Sequence, residues 1–337
     1  MNIIEEIKDL LVVRKIRIYL LIKRGGIMNL RVPLFLLFVC ILLTQKVRSQ
    51  YYFYDENHYD KAVMFELGAS LGGMNCMTDL GGGTGIGKHS IKDLNLKNTQ
   101  VTGGAYLAAT YNNAITLRLE AAFGQVKAYD SILKKVASST SGRYERNLSF
   151  RSPISEFSLI AEIHPLFIFG KYDDDHEPPR LSPYALIGIG YFSFNPQAKL
   201  GNVWVDLQPL HLEGQGFKEY PDRPNYSLQQ INIPVGAGFR YELSPIINVR
   251  AEVVYRVLST DYLDDVSQTD YVDPSLFANY LSGSKLTNAL LLYDRRYELN
   301  PANNGPAERG HSGHKDSYFS FNLKVGITFG RERIRNR

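Results

Sequence analysis

The sequence predicts an all-β fold, an eight-stranded antiparallel transmembrane β-barrel of the outer-membrane type with long external loops. Three observations predict it. The stretch 318–329, YFSFNLKVGITF, places an apolar residue at every odd position from Phe319 to Phe329, with Tyr, Ser, Asn, Lys, Gly and Thr at the even ones. Unbroken period-two alternation suits a strand wet on one face, and a helix cannot use it. The segment is also long enough to cross a bilayer as a tilted strand, for which roughly 9–11 residues suffice. Seven further segments alternate in the same way, and the connections joining them are by turns long and short, as in a membrane barrel. A soluble sandwich could also supply eight strands, but its larger loops would not gather so consistently at one end.

The elements follow in order. A tyrosine-rich lead, YYFYDENHYDK, precedes the first strand, 63–72, with Val63, Phe65, Leu67, Ala69 and Leu71 on one face and Glu66, Gly68 and Ser70 on the other. A loop rich in glycine and asparagine leads to the second strand, 101–111, with Ala105, Leu107, Ala109 and Tyr111 alternating. Asn112-Asn113 is a two-residue hairpin signal. The third strand, 114–126, sets Ile115, Leu117, Leu119, Ala121 and Phe123 against Thr116, Arg118, Glu120 and Gly124. The fourth, 150–164, alternates less cleanly, with Phe157, Leu159, Ala161 and Ile163 apolar and Ile160 among the polar positions. A charged turn, KYDDDHEPPR, comes before the fifth strand, 184–194. The sixth strand, 229–243, and the seventh, 248–258, are joined by the short turn SPII. In the longest loop, Asp273-Pro274 is a helix start signal, and Leu286, Ala289, Leu290 and Tyr293 recur at helical spacing. They predict a short amphipathic helix across the barrel mouth. The last strand ends in KVGITF, which resembles the C-terminal assembly signal of such barrels, although Arg331 stands where a final apolar residue is expected.

Composition fits this reading. The chain has 337 residues, 44% hydrophobic and 12% aromatic, with 22 Tyr, 17 Phe, 28 Gly and only 2 Cys. Its net charge of +4 is too small to argue for nucleic acid, and no basic stripe with interleaved aromatics occurs, so no nucleic-acid partner is expected. The mean hydropathy of −0.20 is no obstacle, because barrel strands hide an apolar face behind polar alternation. Residues 28–49 read as a signal peptide, with Arg31 as its basic region, an apolar stretch 32–43, and cleavage before Gln50. Residues 1–27 are expected to be a mis-annotated upstream extension of the gene, with translation starting at Met28. Residues 50–61 are then a periplasmic N-terminal lead, 62–330 the barrel and 331–337 a basic periplasmic tail. Cys40 follows Val39 rather than a small residue, so lipidation is not expected there. Cys76 is left as the only mature thiol and is expected to be a free surface cysteine.

If the odd-numbered faces meet lipid, the even faces place Glu66, Arg118, Glu120, Glu156, Glu162, Arg240, Glu242, Arg250, Glu252, Arg256 and Lys324 in the lumen. A barrel of eight strands is just wide enough for side chains to fill, so these charges are expected to pair with one another and to leave no room for a general channel. Tyr111, Tyr241 and Phe329 near one rim, and Phe123, Tyr191 and Phe319 near the other, are expected to form two aromatic girdles. Asp261, Asp264 and Asp265 form an external acidic cluster beyond the seventh strand. Loop capping is the expected role, since the spacing is not that of a calcium loop.

Two motifs invite a stronger reading. The run 82–88, GGTGIGK, nearly spells a phosphate-binding loop, but His89 stands where Ser or Thr should hold magnesium and no helical period follows. His311 and His314 offer two metal ligands without a third in register. No metal, cofactor or catalytic triad is therefore predicted.

Four segments together resemble the PorG-like outer-membrane barrels associated with the type IX secretion system: FELGASLGGMNCMTDLGG from Phe65, LSPYALIGIGYFSFNPQA from Leu181, LQPLHLEGQG from Leu207 and TDYLDDVS from Thr260. The resemblance implies a non-enzymatic barrel, embedded in outer-membrane lipid, that holds or docks onto the periplasmic secretion-ring proteins, and it supplies no catalytic residues. The lead 50–61, the turn 171–180 and the tail are the expected partner contacts. The alternatives are a lipid- or peptide-modifying barrel enzyme, or a small-solute or adhesion barrel using its external loops.

Overall fold

The computed structural model describes residues 53–55, 58–81, 95–139, 142–170, 179–301, 308–311, 313 and 315–333. The upstream extension, the signal peptide, the 82–88 motif, residues 171–178, His314 and residues 334–337 lie outside the described residues.

Eight strands build the wall: β1 (His58–Met77), β2 (Gln100–Tyr111), β3 (Ile115–Tyr129), β4 (Ser149–Ile163), β5 (Leu181–Phe194), β6 (Gln229–Ser244), β7 (Ile247–Leu258) and β8 (Ser317–Arg333). Each pairs antiparallel with its neighbour in sequence, and β8 returns to pair with β1, so the sheet closes on itself. Closure satisfies the backbone groups that an open edge would leave bare. The alternation decides which face goes where. Leu119 is 58% exposed, while Arg118 and Glu120 on either side of it are 0% and 6% exposed. The same parity holds around the ring, with Leu67, Ile187, Phe239, Val253 and Val325 all turned outward. A belt of bare aliphatic side chains around a polar interior is the inverse of a soluble core, and a bilayer is the solvent that fits it. No helix among the described residues is long and apolar enough to cross a membrane.

The two ends differ. At the turn end, Asn112 and Asn113 adopt φ of 48° and 56°, the left-handed pair that a two-residue hairpin needs. The β4–β5 connection begins with a helical turn, Pro165–Phe169, whose Phe167 is buried against Ala114. At the loop end the long connections fold into a cap. Met74, Val126, Phe150, Ile154, Phe192 and Tyr318 form an apolar layer inside the rim. Above it, Leu207, Leu210, Phe217, Val272, Phe277 and Leu292 make a second core belonging to the loops. The predicted helix is present as Gly283–Leu292, with Ala289 and Leu292 buried and Leu290 exposed.

Strand ends differ from expectation where the alternation stops being readable. β1 runs from His58 to Met77 rather than over 63–72, because the pairing passes through the Gly72-Gly73 step without a break. Its extension carries Cys76 inward beside the apolar layer, in register with Tyr318, so the thiol is buried and not on the surface. β8 continues past a register shift between Phe329 and Arg331, where Gly330 has φ of 109°, and pairs Arg331 with Asp60 and Arg333 with His58. Part of the expected lead and part of the expected tail therefore meet each other in the sheet.

Candidate functional site: the charged lumen and the loop cap

All eleven charges assigned to the inner face by parity are buried. The centre is a lattice around three cations. Arg118 pairs with Glu162, lies 2.9 Å from Glu120 and 3.1 Å from Glu252. Arg250 lies 2.8 Å from Glu66 and 2.6 Å from Glu162. Lys324 bridges Glu120 at 2.5 Å and Glu252 at 2.8 Å. These side chains come from five strands, β1, β3, β4, β7 and β8, so the lattice ties the cylinder across its bore. Tyrosine hydroxyls occupy remaining acceptor positions: Tyr106 donates to Glu66 at 2.5 Å and Tyr184 to Glu252 at 2.8 Å. Charge-assisted hydrogen bonds of this kind are what make buried ions tolerable.

Two smaller groups flank the centre. Toward the loop end, Arg256 lies 3.1 Å from Glu156, which also accepts from Tyr318. Toward the turn end, Arg331 lies 2.5 Å from Asp60 and 2.8 Å from Glu242, and Arg240 reaches Glu242 at 3.5 Å. His164 is wedged between Thr116, Ser182 and Glu162. Below it, the Arg240 guanidinium lies 5.6 Å from the centre of the Phe167 ring. The lumen is thus occupied by paired charge and stoppered at its turn end.

In the acidic cluster at the loop end, Asp261 is half-buried. Asp264 and Asp265 have no exposed surface. Asp264 accepts from the Val266 amide at 3.0 Å, and Asp265 accepts from the Tyr226 hydroxyl at 2.6 Å. Asp316 belongs to the same layer and accepts from the Leu263 amide at 2.8 Å. Burial pushes Asp261 up to about 7, with Asp79 and Glu213 adding to the rise, and pushes Asp265 up to about 6. Burial and the neighbouring carboxylate of Asp79 hold Asp264 well above the ordinary range, and burial with Asp264 and Asp261 does the same for Asp316. Glu213 anchors the cap beside them, accepting from the Ser267 and Gln268 amides and from Arg309 at 3.1 Å. Arg146 lies 2.9 Å from Asp130 and donates to the carbonyls of Asp79 and Arg309. Among the described residues no three His, Cys, Asp or Glu groups are arranged to hold a metal ion. The His311 ring accepts from the Gly313 amide at 3.1 Å.

The girdle residues divide. Tyr111, Tyr241 and Phe329 are exposed toward the turn end, where Phe65 faces Phe329 across the β1–β8 pair. Phe123 and Tyr191 are exposed on the loop-side half, Phe123 stacking edge-on with Phe157 at 6.2 Å. Phe319 is only half-exposed. Sequence reasoning missed Tyr106, Tyr184 and Tyr318, although their even positions carried the same parity signal as the charges. It also missed Glu213, Arg309 and Asp316, which sit in loops where no periodicity exists to read.

No protein-family model matches the sequence, and neither does any curated protein. Among solved structures, the chain is similar to the N-terminal β-barrel domain of Pseudomonas aeruginosa OprF, with 11% identity over 79% of this chain and 97% of that one, at a TM-score of 0.31. It is similar to Neisserial surface protein A, with 9% identity, 80% and 98% coverage and a TM-score of 0.32. It is also similar to Ail, the attachment invasion locus protein of Yersinia pestis, with 9% identity, 80% and 99% coverage and a TM-score of 0.33. Likeness this distant adds no argument to the strand pairing. That pairing, with the apolar face turned out and the paired charges turned in, makes the chain a closed eight-stranded antiparallel barrel of the outer-membrane architecture.

Proposed function

We propose that the chain resides in a bacterial outer membrane and acts there as a non-enzymatic, non-conducting anchor for a partner complex, with both termini in the periplasm. The observation that carries this reading is the occupied lumen. Arg118, Arg250 and Lys324, with their glutamates, take the space that a solute path would need. Their carboxylates are engaged by cations rather than offered to a substrate. Short turns facing the periplasm and long loops facing outward is the orientation such barrels adopt. The resemblance of four segments to the PorG-like barrels supports a finer version, in which the partner is the periplasmic ring of the type IX secretion machinery.

The turn end would then carry the partner contacts. Leu166, Leu243 and Ile246 are exposed apolar side chains at that end, suited to burial against a protein surface. The folded cap favours a second reading, in which the outer end binds, because Leu290, Tyr297 and Leu299 are exposed on it. Photo-crosslinking residues at Leu166 and Ile246, compared with the same residue at Leu290 and Tyr297, separate the two in intact envelopes. Capture of a periplasmic protein from the turn end is expected. Capture only from the cap would replace the anchor with external binding or adhesion.

A further inference from the structure

The outer wall of β3 and β4 changes character along its length. Reading outward-facing partners from the middle of the barrel toward the loop end, Leu119 faces Leu159, Ala121 faces Phe157, Phe123 faces Ser155, Gln125 faces Pro153 and Lys127 faces Arg151. Apolar pairs give way to polar ones and then to two cations directly opposite each other. Like charges across an antiparallel pair repel. Among the described residues, neither Lys127 nor Arg151 makes an ion pair. Arg151 Nε donates to Gln197 Oε1 at 2.9 Å, and its guanidinium lies 3.9 Å from the centre of the Trp204 ring, which leaves its two terminal nitrogens without a protein acceptor among those residues. Lys127 Nζ lies 6.0 Å from the Tyr129 ring. The neighbouring carboxylate, Asp206, accepts from both the Asn195 and Gln197 side-chain amides through one oxygen, Oδ1.

Position adds to charge. Trp204 is the sole tryptophan of the sequence, and it sits on a hairpin, Gln197–Leu200 with Val203–Asp206, whose Gln197 is in register with Arg151. Lys199 is exposed and faces Trp204 across that hairpin. Tryptophan and long basic side chains just beyond an apolar belt are the residues of a headgroup zone. Beneath them, small Ala105 and Ala121 recess the wall between Leu107, Leu119, Phe157 and Leu159, leaving an apolar groove. A guanidinium fork beside an ammonium matches phosphate oxygens, and a groove continuous with the belt matches an acyl chain.

We propose that Lys127, Arg151 and Lys199, with Trp204, form a binding site for the phosphate-bearing headgroup of an anionic lipid in the outward leaflet. This rests on the outer-membrane reading above. The phosphate lies between the two opposed cations and removes their repulsion, and one lipid chain follows the groove below.

The test uses the full chain in phosphatidylcholine nanodiscs, with emission of Trp204 as the readout. Diphosphorylated lipid A is titrated in, then its dephosphorylated counterpart, then inorganic phosphate alone. The phosphorylated lipid is expected to shift the emission and to bind at least tenfold more tightly than the dephosphorylated one, with free phosphate inert at equal concentration. Lys127→Gln with Arg151→Gln is expected to remove that preference, and Lys218→Gln, an exposed lysine elsewhere on the cap, to preserve it. Equal binding of the two lipids overturns the site, as does a double variant that keeps the preference. Saturation by free phosphate overturns the assignment to lipid. If the double variant fails to assemble, the two-lipid comparison on the native chain decides alone. A chain that never enters the nanodisc defeats the membrane reading, whereas one that inserts without preference defeats only this site.

Discussion

Arg250 shows what one side chain contributes to the lumen. It is the only cation within ion-pair distance of Glu66 among the described residues, whereas Glu162 is shared with Arg118. Arg250→Met should leave Glu66 buried with only the neutral donors Tyr106 and Asn248. The expected cost is about 3–5 kcal/mol, measured as a lowered urea midpoint of the micelle-bound barrel. Adding Glu66→Gln should recover most of it, because the stranded charge goes with its partner. A second position turns on space. Gly68 faces Gly326 across the β1–β8 seam, and a Cβ on Gly68 would collide with the Tyr106 ring, while one on Gly326 would meet the Glu66 carboxylate. Gly68→Ala should therefore push Tyr106 off Glu66 and cost about 1–3 kcal/mol by overpacking, seen as a lower melting temperature in the same micelles.

At the scale of elements, the cap depends on pH in a definite direction. Asp261 and Asp265 have folded values raised to about 7 and about 6, and Asp264 and Asp316 are also held well above the ordinary carboxylate range by burial and by neighbouring carboxylates. A raised carboxylate favours the folded state in its protonated form. The benefit is complete below the ordinary carboxylate value near ~4 and is lost as pH climbs through the folded value. Amide exchange over residues 259–266, corrected for its intrinsic rate, should quicken between pH 5 and pH 8, and Asp261→Asn should flatten that rise. Exchange independent of pH would mean that the layer is neutralised in another way. The strands themselves were legible because an apolar outer face and a charged inner one impose a two-residue period, which also told Glu66, Arg250 and Lys324 apart from their odd-numbered neighbours. The cap was not. Its core joins Phe217 to Phe277 and Glu213 to Arg309 across distant segments, and no local pattern announces such partners. Strand ends such as Met77 and Arg333 were missed for a related reason, since beyond the belt both faces are buried or wet and the alternation fades.

At the scale of the whole barrel, the eight strands are cross-braced by charge, with Phe167 buried at the turn end and the apolar layer of Met74, Phe150 and Phe192 at the loop end. Planar-bilayer recordings of the reconstituted chain should show no steady conductance. A resolved open level of ordinary porin size would contradict the packed bore. The protein should also require detergent or lipid to stay monodisperse, because no described residue covers its aliphatic belt.

The seam between β1 and β8 joins the beginning of the wall to its end, from Met77 beside Ser317 to His58 beside Arg333. Closure of the wall thereby requires β8. A polypeptide halted before residue 317 would hold two raw edges open, each a template for a stranger's strand, so truncated copies should aggregate or be degraded rather than persist as partial barrels.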